Sequence, residues 1–302
     1  MQNLREAISE ILSEHGPMLG KELEERLPDA ENLKLWQACF TSEHLQISQF
    51  SRYYLRFDIT RKDFIRLSPS ILRDFMSFTL ISHSGQRDKV AERLVHLSNE
   101  HREISRWKTG LARNVLADIF SDLGYEKTAK VCAFIAGDLA YFLGHNEPRE
   151  IEALGEIVKG SDLDIIIVHD GLSDQDVSQI EDRMLAAKNY LLRSSVLRQE
   201  LDFIVKPISR MFDQFAYKTI QQKIASKIVY ESLFMGGSVS LYSSIMEELR
   251  HRGVQDKILR DFDKGLADRS EAISQLLRTN PEELDANARS LFYFSQERIE
   301  FE

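Results

Sequence analysis

Two aspartates stand two residues apart in KGSDLDIIIV, Asp162 and Asp164, at the start of a run of four branched apolar residues, Ile165 to Val168. Such a run reads as a buried β-strand. Alternate residues on a strand point to the same side, so both carboxylates share one rigid edge. Two acids held together repel unless something positive sits between them, and a hard divalent cation fits oxygen donors. A third acid, Asp202, lies inside another apolar run, ELDFIVKP. Upstream, VCAFIAGD from Val131 to Asp138 reads as a third short strand that ends at Gly137.

The order strand–Gly, helix, strand with Asp-x-Asp, helix, strand with Asp resembles the nucleotidyltransferase superfamily of the DNA polymerase β type. The likeness spans roughly residues 110–210. It implies two-metal nucleotidyl transfer with Mg2+, or alternatively Mn2+, held by Asp162, Asp164 and Asp202. In that scheme Asp162 and Asp164 hold the triphosphate-side ion and share the second. Asp202 completes the second and helps deprotonate the attacking hydroxyl. Gly137 lets the backbone approach the triphosphate, with the amides of Leu139 and Ala140 pointing at it. Ser161 either donates to phosphate or caps its turn, and Lys206 is a phosphate contact, with Arg193 and Arg198 looser candidates. The chain departs from the family where it has Gly137-Asp138, since the family usually carries Gly-Ser or Gly-Gly there. It departs again in a long Gly137-to-Asp162 spacing. The extra stretch, HNEPREIEALGEIVKG, reads as a helical or irregular insertion with Glu147, Glu150, Glu152 and Glu156.

The elements around these residues give an α+β chain: a small mixed sheet of nucleotidyltransferase type flanked by helices, an N-terminal winged helix and a C-terminal helical domain. Residues 1–82 form the winged-helix-like domain. Leu4, Ile8, Ile11 and Leu12 line one helix, Leu23 and Leu27 a second, and Leu33, Trp36 and Cys39 a third. A strand at Leu45 and Ile47 and another at Tyr53 to Phe57 make the expected hairpin. Arg52, Arg56, Arg61, Lys62 and Arg66 cluster in or after it, so residues 30–66 are the candidate DNA contact. The third helix, DAENLKLWQACF, has one lysine and two acids, which suits a phosphate-lined groove poorly. Residues 83–210 form the catalytic domain and 211–302 the helical one. Gly236-Gly237 reads as a helix break or a close packing contact, and Asn280-Pro281 as the start of a last helix through about Phe294.

The sequence has 302 residues and a formal net charge of -9, which excludes indiscriminate nucleic-acid binding by the whole surface. Cys39 and Cys132 have apolar neighbours and read as buried free thiols of a reducing compartment. No signal peptide and no apolar run of membrane-spanning length is evident, so a cytoplasmic protein with no membrane partner is expected. The leading functional expectation is an enzyme moving NMP from an NTP to an RNA end, a protein or a small molecule, in a toxin or defence context. The alternative is a degenerate nucleotidyltransferase that senses nucleotide and regulates DNA through its winged helix.

Overall fold

The computed structural model describes residues 2–57, 65–151, 155–284, 289 and 291–292. In chain order its elements are α1 (Gln2–His15), β1 (Met18–Leu19), α2 (Gly20–Glu24), α3 (Asn32–Phe40), β2 (Leu45–Gln49), β3 (Tyr54–Phe57), β4 (Ile65–Ser68), α4 (Ile71–Phe78), β5 (Thr79–His83) and α5 (Arg87–Leu123). There follow α6 (Tyr125–Thr128), β6 (Val131–Ile135), a 3-10 turn (Gly137–Leu139), β7 (Pro148–Ile151), β8 (Glu156–Lys159), β9 (Leu163–His169) and α7 (Asp174–Arg193). The chain continues with β10 (Leu201–Pro207), α8 (Ile208–Gln214), α9 (Ile220–Glu231), β11 (Leu233–Gly237), α10 (Val239–His251), α11 (Val254–Arg278) and a 3-10 turn at Pro281–Glu283. The fold is mixed α+β with small sheets.

The chain divides into two compact units. One comprises 1–56, 65–100 and 261–302, the other 57–64 and 101–260. The boundaries read from sequence, at 82 and 210, differ from these. Charge and turn composition mark where a chain runs through solvent, but they do not show which distant segment completes a core.

In the first unit a three-stranded antiparallel sheet of order β1-β5-β2 draws its first strand from between α1 and α2 and its second from after α3. Leu45 pairs with His83 and Gln49 with Thr79. The hairpin expected between residues 45–47 and 53–57 therefore does not form. β2 pairs with β5, and β3 pairs with β4 instead. Between β2 and β5 lies α4, which is buried along its whole length and is capped where Ser70 Oγ accepts from the Arg73 amide. The core joins Ile8, Leu12, Leu23, Trp36 and Phe75 to Leu276 and Phe292. Arg61 and Lys62 lie outside the described residues.

The second unit is built on a four-stranded sheet of order β10-β9-β6-β11. β9 and β10 are parallel, as a helical crossover requires, and the other two pairings are antiparallel. The crossover is α7, whose first turn is capped by Ser173. Leu163, Ile165 and Ile167 of β9 face Ile180, Met184 and Leu191 of α7 in one core, together with Leu116 and Ile119 of α5. β9 is buried on both faces at every residue but Asp164, which is why it reads as an unbroken branched run.

Two further expectations are corrected here. Of the two readings of Gly236-Gly237 the helix break fails and the close packing contact holds: the pair ends strand β11, Gly237 has φ 85° and a Cβ there would lie 2.2 Å from Val131 O. The glycines serve close backbone approach next to a register shift between Phe234 and Gly236. Where a helical or irregular insertion is expected before Ser161, the described residues hold β7 and β8, an antiparallel pair with Arg149 opposite Val158; Glu152 lies outside the described residues. After Asn280 only a 3-10 turn and short helical residues at 289 and 291–292 are described. Among the described residues no helix is long and apolar enough to cross a membrane.

Candidate metal centre

Asp164 is the second residue of β9 and Asp202 the second of β10. Parallel register sets the two directly opposite one another, Cα to Cα partners. Asp162 stands two residues before Asp164, where alternation turns it to the same face. Asp162, Asp164 and Asp202 each offer an oxygen within 4.8 Å of the others, and all three are partly buried. Burial, then the charges of Asp162 and Asp202, push Asp164 up to about 7. Burial disfavours the charged carboxylate most, and the like charges of its two neighbours add to that.

The turn that delivers Asp162 is fixed from behind. Lys108 of α5 has no exposed surface. Its ammonium donates to Lys159 O at 2.5 Å, Ser161 O at 2.7 Å and Gln199 Oε1 at 2.6 Å. Burial holds this lysine down at about 8, against the pull of Asp162. Gly160, at φ 61°, has no room for a side chain, since a Cβ would meet His145 O at 1.9 Å.

Protein cations flank the acids. Arg149 of β7 donates to Asp162 Oδ1 at 2.9 Å and to Glu200 Oε2 at 2.6 Å. Lys188 of α7 donates to Asp202 Oδ1 at 2.5 Å. On α9, Lys227 donates to Glu231 Oε1 at 2.7 Å. Glu231 also accepts from the Gly137 amide at 3.4 Å and the Tyr141 hydroxyl at 3.3 Å. Burial pushes the carboxyl of Glu231 up, and Lys227 beside it opposes the rise.

Gly137 has φ 70°, and a Cβ on it would come within 2.9 Å of Asp164 Oδ2. A side chain there would fill the cradle in front of that carboxylate. The donors are hard oxygens, the class Mg2+ and Mn2+ prefer, with no thiol or imidazole among the three. The residues therefore fit a small divalent cation. Asp138 does not lie in an open phosphate loop. Ser161 Oγ donates to its Oδ2 at 3.4 Å, His145 Nε2 stands 3.9 Å from the same atom, and Glu147 is 3.5 Å from His145 Nδ1.

Lys206 shares the face of Asp202 by alternation but lies two alternate positions further along β10, beyond Ile204. It is buried and donates to Gln214 Oε1 at 2.8 Å. The third helix, α3, buries Leu33, Leu35, Trp36, Gln37, Ala38 and Cys39, and Gln37 donates to Leu276 O and Thr279 O. It presents only Asn32, Lys34 and Phe40 in part, so it is not an open recognition helix. Cys39 and Cys132 are buried, free and pushed up to about 12 by burial, which makes them inert.

Sequence reading missed Lys108, Arg149, Lys188, Glu200, Lys227 and Glu231. Lys188 did leave a signal. It falls four residues after Met184 and three before Leu191, on the buried stripe of α7, where a charge needs a partner. No family model matches the chain, and no curated protein matches it.

Proposed function

We propose that this chain is a metal-dependent nucleotidyltransferase that moves NMP from an NTP to a hydroxyl-bearing acceptor. The observation that carries the reading is the convergence of Asp162, Asp164 and Asp202 from two neighbouring parallel strands within 4.8 Å. Asp162, Asp164 and Asp202 would hold the divalent cation. When bound, it supplies positive charge against the developing charge on the transferred phosphoryl group.

The residues of the chain have separate tasks. Lys108 and Gly160 fix the backbone that carries Asp162. Gly137 keeps space open beside Asp164. Asp202 on the edge strand is the carboxylate that takes the acceptor proton. In the reaction the acceptor oxygen bonds to the α-phosphorus, the bond from that phosphorus to the bridging oxygen breaks, and pyrophosphate leaves. The Gly137 amide already meets Glu231. The Ala140 amide is likewise taken, donating to Gly137 O at 3.0 Å, so phosphate recognition falls to Arg149, which stands beside Asp162.

The reading is tested by incubating the protein with labelled NTPs, Mg2+ or Mn2+, and total cellular RNA or protein as acceptor. Transfer of label that falls at least about 100-fold in Asp162→Ala and Asp164→Ala is the expected result. Absence of both transfer and nucleotide binding with every NTP and either metal overturns it.

A further inference from the structure

The three aspartates do not stand alone with water. Glu200 brings a fourth carboxylate, and Arg149 spans it and Asp162. Lys188 takes Asp202. Lys227 is bonded to Glu231, so that pair largely cancels itself. Four carboxylates against two cations leave an excess of two negative charges, the charge of one divalent ion and half that of two. Counting Asp138 together with Lys108, the buried ammonium that acts on both Asp138 and Asp162, keeps the excess at two. Each cation takes one oxygen of its carboxylate and leaves the other. Arg149 holds Asp162 Oδ1 and Lys188 holds Asp202 Oδ1, while Asp164 sits between them.

Lys188 is not a surface lysine that happens to swing over. Ile180, Met184 and Leu191 define the buried stripe of α7, and Lys188 occupies the same stripe one turn from each end of its gap. α7 covers the face of Leu163, Ile165 and Ile167, so Lys188 meets Asp202 at β10, the strand that ends the sheet. Its side chain is 31 % exposed, against 49 % for that of Asp202.

We infer that Lys188 stands in for one of the two cations that the nucleotidyltransferase resemblance implies, so that the protein without nucleotide loads a single divalent ion, centred on Asp164 and braced by Arg149. The inference rests on the nucleotidyltransferase reading and deepens it. Lys188 is a positioning residue: its ammonium fixes Asp202 and supplies charge where a second ion would otherwise be needed.

Mn2+ binding to the metal-stripped full chain, without nucleotide, is the test, with free Mn2+ counted by electron paramagnetic resonance. The wild type is expected to bind one ion, Asp164→Asn to lose it, and Lys188→Gln to gain a second. Thermal unfolding of each variant verifies that it is folded. Two ions in the wild type overturn the inference and leave the nucleotidyltransferase reading standing. One ion in both the wild type and Lys188→Gln likewise removes the role of Lys188. No ion in the wild type, or one that Asp164→Asn retains, overturns the metal reading and the inference with it.

Discussion

Lys206 is held where its charge is disfavoured. It is 5 % exposed, and burial with the nearby Arg210 keeps it at about 8 against an ordinary 10.5. Below pH 8 the lysine is protonated in both folded and unfolded chains, and the folded state carries the full cost of desolvating it. Between pH 8 and 10.5 the unfolded chain binds more protons, so stability rises with pH across that window. Lys206→Met removes the buried charge and gives up one hydrogen bond to Gln214. The variant is expected to be more stable than wild type by about 2 kcal/mol at pH 7, with the advantage shrinking as pH rises from 8 to 10.5. Urea unfolding of both proteins at several pH values measures this, and a pH-independent difference contradicts it. At this scale sequence reading was uneven, for a physical reason. Asp162, Asp164 and Asp202 were legible because alternation along a strand fixes which side a residue faces. Arg149 and Glu231 were not, because their meaning depends on where a hairpin and a distant helix dock.

At the scale of elements, the parallel pair β9–β10 is held in place by a lysine from a helix. Lys108 donates to two backbone carbonyls and one side-chain amide oxygen, none of them charged. A buried ammonium costs much to desolvate, yet removing it strands three acceptors in a site that water does not reach. The second effect outweighs the first here, because the replacement methyl cannot donate. Lys108→Met is expected to destabilise the protein by about 3 kcal/mol. A fall in the urea midpoint with unchanged slope measures it, and a variant as stable as wild type contradicts the account. The opposite sign at Lys206 follows from its single neutral partner. Strands β6, β9 and β10 were legible because short branched runs between turns have few other homes. Strand β11 was not. LFMGG has two glycines and no alternation, and only its pairing with β6 makes it a strand.

At the scale of the whole chain, the described residues after 260 contribute to the first core. Residues 261–302 group with 1–56 and 65–100, and Ala272, Leu276, Leu284 and Phe292 pack with Trp36, Phe75 and Leu12. Arg269 adds a buried ion pair with Asp74 at 2.8 Å and donates to Pro69 O. No periodicity near the C-terminus could have shown this, since an amphipathic helix declares that it has a core face but not which core. A chain divided at 210 would leave the N-terminal unit whole. The observed grouping does not. Removing Leu276 and Phe292 costs at least 2–5 kcal/mol each, and loss of Arg269 leaves Asp74 buried without its partner. Together these rival the 5–15 kcal/mol that holds a typical domain folded. A chain ending at Arg260 is therefore expected to lose the first unit and keep the second. Limited proteolysis should cut early within residues 2–100 and spare 101–260, the unit that holds the three aspartates. The truncated chain should bind Mn2+ if the second unit folds by itself. Protection of residues 2–100 equal to that in the full chain would show that the C-terminal segment is an accessory to that core and not a part of it.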